Sequence, residues 1–233
     1  MKQRALVLVD LQNDFCAGGA LAVAEGDSTV DVANTLIDWC KARGEAVVAS
    51  QDWHPANHGS FASQHNVEPF TQGELDGLAQ TFWPDHCVQH SEGAALHPLL
   101  KQQAIAAVFH KGQNRVIDSY SAFFDNGHRQ KTGLDAWLRE HDIREVLVIE
   151  GDPPQDMMHE VYPTNSVDVI WKFRKEMPEV KVYAGIDQYR GSLSQELYRI
   201  KRKLQAGAAG FFTQPFFDMR FLSVYADMLQ GLE

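Results

Sequence analysis

Short runs of apolar, often β-branched residues alternate along the chain with longer amphipathic segments. The short runs predict six strands, at about residues 5–10, 46–51, 104–110, 145–150, 180–185 and 208–213. The longer segments predict six helices, at about residues 29–43, 94–102, 132–141, 165–177, 193–206 and 218–230. Ser192 and Ser194 are candidate caps for the helix at 193–206, and Gly207 is its candidate stop.

This alternation of strands and helices predicts an α/β fold. Six βα units with nearly continuous apolar strands are typical of a mostly parallel sheet covered by helices on both faces. Because no Gly/Ser-rich linker separates the two halves, one three-layer αβα sheet is the simplest interpretation. In the helix at 165–177, Val167, Ile170, Trp171 and Met177 lie near one stripe and are expected to cover that sheet.

The amino-acid composition indicates the class of protein and restricts the kinds of partner it could bind. With 44% hydrophobic and 22% charged residues, the 233-residue chain is typical of folded globular proteins. The net charge of −10 argues against nucleic acid or an anionic membrane as a partner. Three cysteines, Cys16, Cys40 and Cys87, without CxxC spacing favour a reducing compartment, so we expect a cytoplasmic protein. The sequence leaves the oligomeric state open.

Ionisable residues follow the predicted strands, at the edge where open parallel sheets bind ligands. Asp10 ends the first strand and Lys111 follows the third. An acid and an amine at neighbouring strand ends could share a proton and activate a nucleophile between them. Taken singly, Asp10 could equally be a loop cap, and Lys111 an ordinary surface lysine.

A second group of residues has the donor types of a metal site. Asp52 and His54 lie two positions apart, so in an extended chain both side chains point to one side, and His86 comes from a later loop. One carboxylate and two imidazoles with open positions suit Zn²⁺ or Fe²⁺. Ordinary loop histidines remain the alternative from spacing alone. The same region also holds His58 and His65, which could join or replace a ligand, and Ser60, which could contact a metal-bound water. His97 and His128 are interpreted as ordinary surface residues.

Five motifs together closely resemble the bacterial nicotinamidases of the isochorismatase-like hydrolase superfamily, over about residues 3–149. They are LVLVDLQNDFCAGGAL, SQDWHPANHGSF, FWPDHCVQ, VFHKG and DSYSAFFDN. The resemblance implies a thiol-dependent amidase that converts nicotinamide to nicotinate and ammonia.

The resemblance also assigns roles to the residues of this region. Asp10 would accept a proton and Lys111 would support the thiolate. A metal that binds the pyridine nitrogen would be held by Asp52, His54 and His86. Phe15 and Trp83 would flank the ring, for which flat aromatic faces are suited.

The sequence departs from this family at the nucleophile. The family places a cysteine at the start of the helix after the fourth strand, where the helix dipole and the lysine lower its pKa. This sequence has no cysteine after Cys87, and neither Cys16 nor Cys87 matches that position. Strand 145–150 instead runs into a turn with the sequence GDPP.

From this turn onward a second resemblance begins. The stretches GDPPQ, VKVYAGIDQY and KLQAGAAGFFTQPFFD, within about residues 147–232, resemble the flavin-dependent methylenetetrahydrofolate reductases, which are TIM barrels. That resemblance would place Asp152 near a flavin and Gln214 near a folate. A turn residue and a structural strand-end amide are the alternatives for these two positions. About three of eight βα units are present, so a flavin is not expected.

The two resemblances meet inside strand 145–150 and together predict a chimera. Residues 1–149 would form a nicotinamidase-like part, and residues 150–233 a TIM-barrel-like segment that completes the same domain. Both parents need a parallel strand at the junction, so a splice there keeps the right-handed crossover. The predicted strand order is 3-2-1-4-5-6. The predicted function is a nicotinamidase-like, metal-binding chimeric scaffold that is inactive or nearly so, and the alternative is flavin or folate binding by the second part.

Overall fold

The computed structural model describes residues 4–148, 166–186, 192–213 and 219–230. The chain forms two compact units, Met1–Ile143 and Arg144–Glu233, called here the front unit and the back unit. No helix in the described part of the chain is both long and apolar enough to cross a membrane.

The front unit is built on a parallel three-stranded sheet. Its strands are β1 (Ala5–Val9), β2 (Ala46–Asp52) and β5 (Ala107–Lys111), in the order β1-β2-β5. Helix α1 (Ser28–Lys41) covers one face of the sheet, and α2 (Leu134–Glu140) follows later in the unit. The buried positions of α1 recur every three or four residues and pack on β1 and β2. They are Val30, Ala33, Ile37 and Cys40.

The register of this sheet sets the position of the candidate site. Val9 lies opposite Ser50, and Asp52 lies opposite Lys111. The polar residues at the carboxyl ends of β1, β2 and β5 therefore meet at one edge of the sheet.

An antiparallel hairpin of β3 (Gln72–Leu75) and β4 (Leu78–Thr81) was not predicted from the sequence. Its two-residue turn is Asp76-Gly77, and both residues have positive φ, 52° and 80°. Such a turn matches the twist of a hairpin, and Asp-Gly is one of its preferred sequences. The signal was therefore present, but the flanking strands are too short and too polar to show a clear alternation.

The back unit contains a second parallel sheet. Its strands are β6 (Glu145–Val148), β7 (Lys181–Ile186) and β8 (Gly210–Thr213), in that order, and its helices are α3 (Ser166–Glu176), α4 (Leu193–Ala206) and α5 (Met219–Gln230). Ile186, Ile200 and Tyr225 form a buried apolar cluster between strand and helices. Ser192 caps α4 by accepting a hydrogen bond from the Gln195 backbone, and Gly207 ends it at φ 115°.

The strand pairings within each unit agree with the predicted α/β fold and its parallel strands. In the numbering of the six predicted strands, the front sheet has the order 3-2-1 and the back sheet 4-5-6. The single six-stranded sheet stays a prediction.

Two predictions about helices were wrong. Residues 94–102 form turns rather than a helix. Pro98 interrupts the segment, and the backbone of the segment forms hydrogen bonds with the loop after β1. The Asn13 N–H donates to Ala95 O, and the His97 N–H donates to Leu11 O. Trp171, predicted to cover the sheet, is 51% exposed, whereas Ile170 and Met177 are buried.

Candidate active site and metal centre

One buried lysine lies between two carboxylates at the ends of β1, β2 and β5. Lys111 Nζ is 2.9 Å from Asp10 Oδ2 and 2.5 Å from Asp52 Oδ1, and it also donates to Ser119 O at 3.1 Å. Ser50 Oγ donates to the other oxygen of Asp10 at 2.7 Å. The structure therefore brings together the acid and the amine that the strand ends predicted, and neither is an ordinary surface residue.

Burial and charge act against each other on these groups. Burial raises the pKa of Asp10 and outweighs the opposing effect of Lys111. Burial alone would lower the pKa of Lys111, but the carboxylates of Asp10 and Asp52 reverse this and raise it. Lys111 is consequently a fixed cation, and Asp10 is a carboxylate that holds a proton more readily than usual.

The predicted metal ligands also converge. One ligand atom each from Asp52, His54 and His86 lies within 4.8 Å of the other two, and all three residues are buried. His54 Nε2 is 3.5 Å from Asp52 Oδ1, and His86 Nε2 is 4.0 Å from Asp52 Oδ2. Three ligands with this spacing leave a position for a further ligand, as in catalytic zinc sites.

Backbone carbonyls orient both imidazoles. His54 Nδ1 contacts Gly112 O at 2.9 Å, and His86 Nδ1 contacts Pro84 O at 2.8 Å. A carbonyl can only accept, so each Nδ1 carries the proton and each Nε2 lone pair faces Asp52. Burial also lowers the pKa of His54 to about 4, which keeps the ring neutral. The donor set and its tautomers therefore fit Zn²⁺ or Fe²⁺.

A second set of polar residues next to this centre was only partly predicted. His58 Nδ1 bonds Ser60 Oγ at 2.7 Å, and ligand atoms of His54, His58 and Asp118 also lie within 4.8 Å of one another. Asp118 accepts a hydrogen bond from Gln80 Nε2 at 2.9 Å. His58 therefore remains a candidate additional ligand. His65 instead bonds Gly59 O and stacks on Phe82, and no metal-binding group found among the described residues contains it.

Sequence reasoning missed Asp118, Gln80 and Gln12. The Gln12 side chain is fully buried; it donates to Asp52 O and Ala94 O and accepts from Asp52 N, each at 2.8 Å. These three residues fix the backbone or the neighbouring side chains of the site. The sequence pattern around these two amides and one carboxylate does not indicate a role for them, because their contacts form only in the folded protein.

The predicted aromatic residues lie near this centre. Phe15 is edge-on to His86, with ring centroids 5.9 Å apart. Trp83 is buried, and its ring is edge-on to that of Tyr120, with ring centroids 6.3 Å apart. The backbone of Trp83 pairs with that of Phe61. The Phe61 ring centroid lies 5.6 Å from that of His86. The positions of Asp152 and Gln214 lie outside the described residues.

Two cysteines, Cys16 and Cys87, are near candidate site residues in the sequence. Neither has the environment of a reactive thiolate. Cys87 follows His86 but is fully buried, and burial, together with the charge of Asp52, raises its pKa. Burial likewise raises the pKa of Cys16. A catalytic thiol requires the opposite shift.

Comparison with known proteins matches the two parts of the chain to two different families, with an overlap at residues 129–149. A family model described as the isochorismatase domain matches residues 4–149, and one described as methylenetetrahydrofolate reductase matches residues 129–231. The chain is 80% identical over 149 residues to a nicotinamidase of Escherichia coli, covering 64% of this chain and 70% of that protein.

Two solved structures share the fold. A nicotinamidase/pyrazinamidase from Acinetobacter baumanii matches with a TM-score of 0.65 and 34% identity, over 91% of this chain and 96% of that one. A pyrazinamidase of Pyrococcus horikoshii in complex with zinc matches with a TM-score of 0.56 and 26% identity, over 91% of this chain and 98% of that one. The family match covers more than half of the sequence, so this chain belongs to the isochorismatase domain family.

Proposed function

We propose that the front unit binds a divalent metal and a small pyridine carboxamide, and that it hydrolyses nicotinamide to nicotinate and ammonia very slowly or not at all. The observation that carries the first half is the convergence of Asp10, Lys111 and the three metal ligands at one sheet edge. The 80% identity to a nicotinamidase supports the substrate class. The absence of any cysteine after Cys87 in the sequence supports the second half.

Asp52, His54 and His86 would hold Zn²⁺ or Fe²⁺. When bound there, such an ion supplies a Lewis acid that attracts the ring nitrogen of a pyridine and fixes the orientation of the ligand. The zinc in the related pyrazinamidase structure supports zinc as the first metal to test.

The side chains of this chain would bind and orient the ligand. The faces of Phe15 and Trp83 suit a flat ring. Asp10 would accept a proton from a nucleophile, and the Lys111 ammonium would stabilise negative charge that develops beside it. A bound amide would meet the base and the cation but no thiol, so the chain holds the parts that prepare the reaction and lacks the group that attacks.

The experiment that tests this proposal measures ammonia release from nicotinamide. With zinc or iron present, we expect a kcat at least about 10,000-fold below that of the Escherichia coli relative measured in parallel, because removal of a nucleophile has effects of this size. Turnover within about tenfold of the relative would refute the loss of activity.

Metal content and ligand binding test the surviving site separately. Asp52→Asn should lose one equivalent of metal and the binding of nicotinate, as measured by mass spectrometry and calorimetry. The matched control is Asp38→Asn, an exposed carboxylate paired with Lys101, which should change neither. If Asp52→Asn retains full metal content, the site is assigned to the wrong residues.

The match of residues 129–231 to the methylenetetrahydrofolate reductase model favours one other candidate, flavin or folate binding by the back unit. The visible absorption spectrum of the purified protein, and its titration with added flavin, test this directly. We place it second because the sequence carries about three of the eight βα units of such a barrel.

A further inference from the structure

We propose a second divalent-metal site in the front unit, formed by Cys16, Asp27 and His97 and suited to Zn²⁺. One ligand atom from each of the three residues lies within 4.8 Å of the others. The set shares no residue with Asp52, His54 and His86. It combines a thiol, a carboxylate and an imidazole, which are the three donor types that zinc accepts in proteins.

The backbone brings these residues together from three separate segments. Cys16 follows the short 3-10 turn Asn13–Phe15, and its N–H donates to Asn13 O. His97 lies in the segment that bonds the loop after β1, and its N–H donates to Leu11 O at 2.9 Å. Asp27 directly precedes α1.

The side chain of Asp27 is not used to cap α1. Its backbone is already helical, at φ −61° and ψ −31°, and its carboxylate makes no hydrogen bond to the first turn. One oxygen, Oδ2, instead accepts from Ala17 N at 2.9 Å. The other, Oδ1, faces His97 Nε2 at 3.7 Å and is available as a ligand.

These separations are close to those of a zinc site. Ligands at about 2.0–2.3 Å from a tetrahedral zinc lie roughly 3.3–3.8 Å from one another. The Asp27–His97 distance of 3.7 Å already falls in this range. The remaining distances, from the Cys16 sulfur to the other two ligand atoms, are at most 4.8 Å and need to shorten by up to about 1.3 Å.

The surroundings of the cluster suit a three-ligand site. Cys16 is buried, whereas the Asp27 side chain is 51% exposed, so water can complete the coordination from the open side. Binding through His97 Nε2 moves the ring proton to Nδ1. The long contact of Leu99 N–H with Nδ1, at 3.3 Å, is then lost. The Cys16 thiol must also release its proton to become a ligand.

Cobalt(II) is the probe that separates this site from the first one, because a cobalt–thiolate bond gives a near-ultraviolet charge-transfer band. The wild-type full chain should bind two equivalents of Co²⁺ and show the band. Cys16→Ala should bind one equivalent and lose the band. Asp52→Asn should also bind one equivalent but keep the band, which excludes Cys87 as its source.

Cys40→Ala is the matched control, since Cys40 is also a buried free cysteine and belongs to neither cluster. It should keep both equivalents and the band. Absence of the band in the wild type, or its survival in Cys16→Ala, would overturn the proposal.

His97→Gln provides a second variant if Cys16→Ala does not fold. This variant should bind Co²⁺ at least about tenfold more weakly, as measured by titration of the charge-transfer band. Mutation of a residue that only hydrogen-bonds to a metal ligand already lowers metal affinity by about 10–100-fold, and loss of the ligand itself should cost at least as much. Unchanged affinity in this variant would also overturn the proposal.

Discussion

The front and back units bury different kinds of side chain. The front unit buries a connected set of charged and polar groups that includes Asp52, Lys111 and Asp118. In the described part of the back unit, the buried charged residues are Glu196 and Lys203, and the cluster that joins its sheet and helices is made of Ile186, Ile200 and Tyr225. Among the described residues, buried ionisable side chains are therefore concentrated in the front unit, whereas the described interior of the back unit is mainly apolar.

The largest effect is expected where a charge is removed from the front unit. Lys111→Met should lower the free energy of unfolding by about 3–5 kcal/mol, because it leaves the buried carboxylate of Asp52 and the partly buried carboxylate of Asp10 without their cation. Urea denaturation gives this value. The control is Lys101→Met, which removes an exposed pair with Asp38 and should cost less than about 1 kcal/mol. Equal effects would mean that burial of the Lys111 cluster does not matter.

In the back unit the corresponding change is the loss of apolar volume. Ile200→Ala should destabilise the protein by about 2–5 kcal/mol, since Ile200 is buried against Ile186 and Tyr225. Leu204→Ala, on the same helix but 38% exposed, should have a clearly smaller effect. Metal content should be the same in both folded variants, and a loss of metal in Ile200→Ala would contradict the division of roles between the units.

The pH dependence of stability should originate in the front unit. Burial, together with the nearby His54, lowers the pKa of His58 to about 4, below the ordinary value of 6.5. The unfolded chain then binds the proton more readily, so stability is lost as the pH falls from about 6.5 towards 4. Between pH 7 and pH 5 the metal-free protein should lose about 2 kcal/mol through this group.

His58→Gln tests the origin of this effect in chelator-treated protein. The variant should show a pH dependence that is shallower by about 2 kcal/mol over the same range. An identical slope in the variant would assign the effect to other groups.

The smallest effect is expected at a helix end in the back unit. Ser192→Ala removes the side-chain acceptor for Gln195 N and should cost about 1 kcal/mol, measured by thermal or urea unfolding. Ser194→Ala, which keeps that acceptor, is the control. A larger effect at Ser194 would show that the cap is assigned to the wrong serine.

Local periodicity was enough to predict most of the helices and parallel strands. The six strands of the two parallel sheets and the helices α1, α4 and α5 follow from apolar spacing, and Ser192 and Gly207 follow from their chemistry at helix ends. The helix at 94–102 was wrong because its backbone bonds the loop after β1, a distant partner that spacing cannot show. The hairpin β3–β4 was missed because its strands are short and polar.

The candidate site divides in the same way. Asp10, Asp52 and Lys111 were accessible from the sequence because they end strands of one parallel sheet, and this rule needs only the strand positions. Gln12 and Asp118 were not, because their roles depend on hydrogen bonds across 40 and 38 residues, to Asp52 and Gln80. The packing of irregular loops, rather than any local pattern, brings those pairs together.

Gly112 has a consequence for how this protein can change by mutation. A Cβ built on it would lie 2.3 Å from the His54 ring, and its φ of 66° disfavours other residues. The glycine is not a candidate ligand, yet any side chain there would displace His54, one of the three proposed ligands. In a library of random substitutions selected for metal retention, position 112 should therefore tolerate as little variation as the proposed ligands themselves. The requirement at this position is only that the residue has no Cβ.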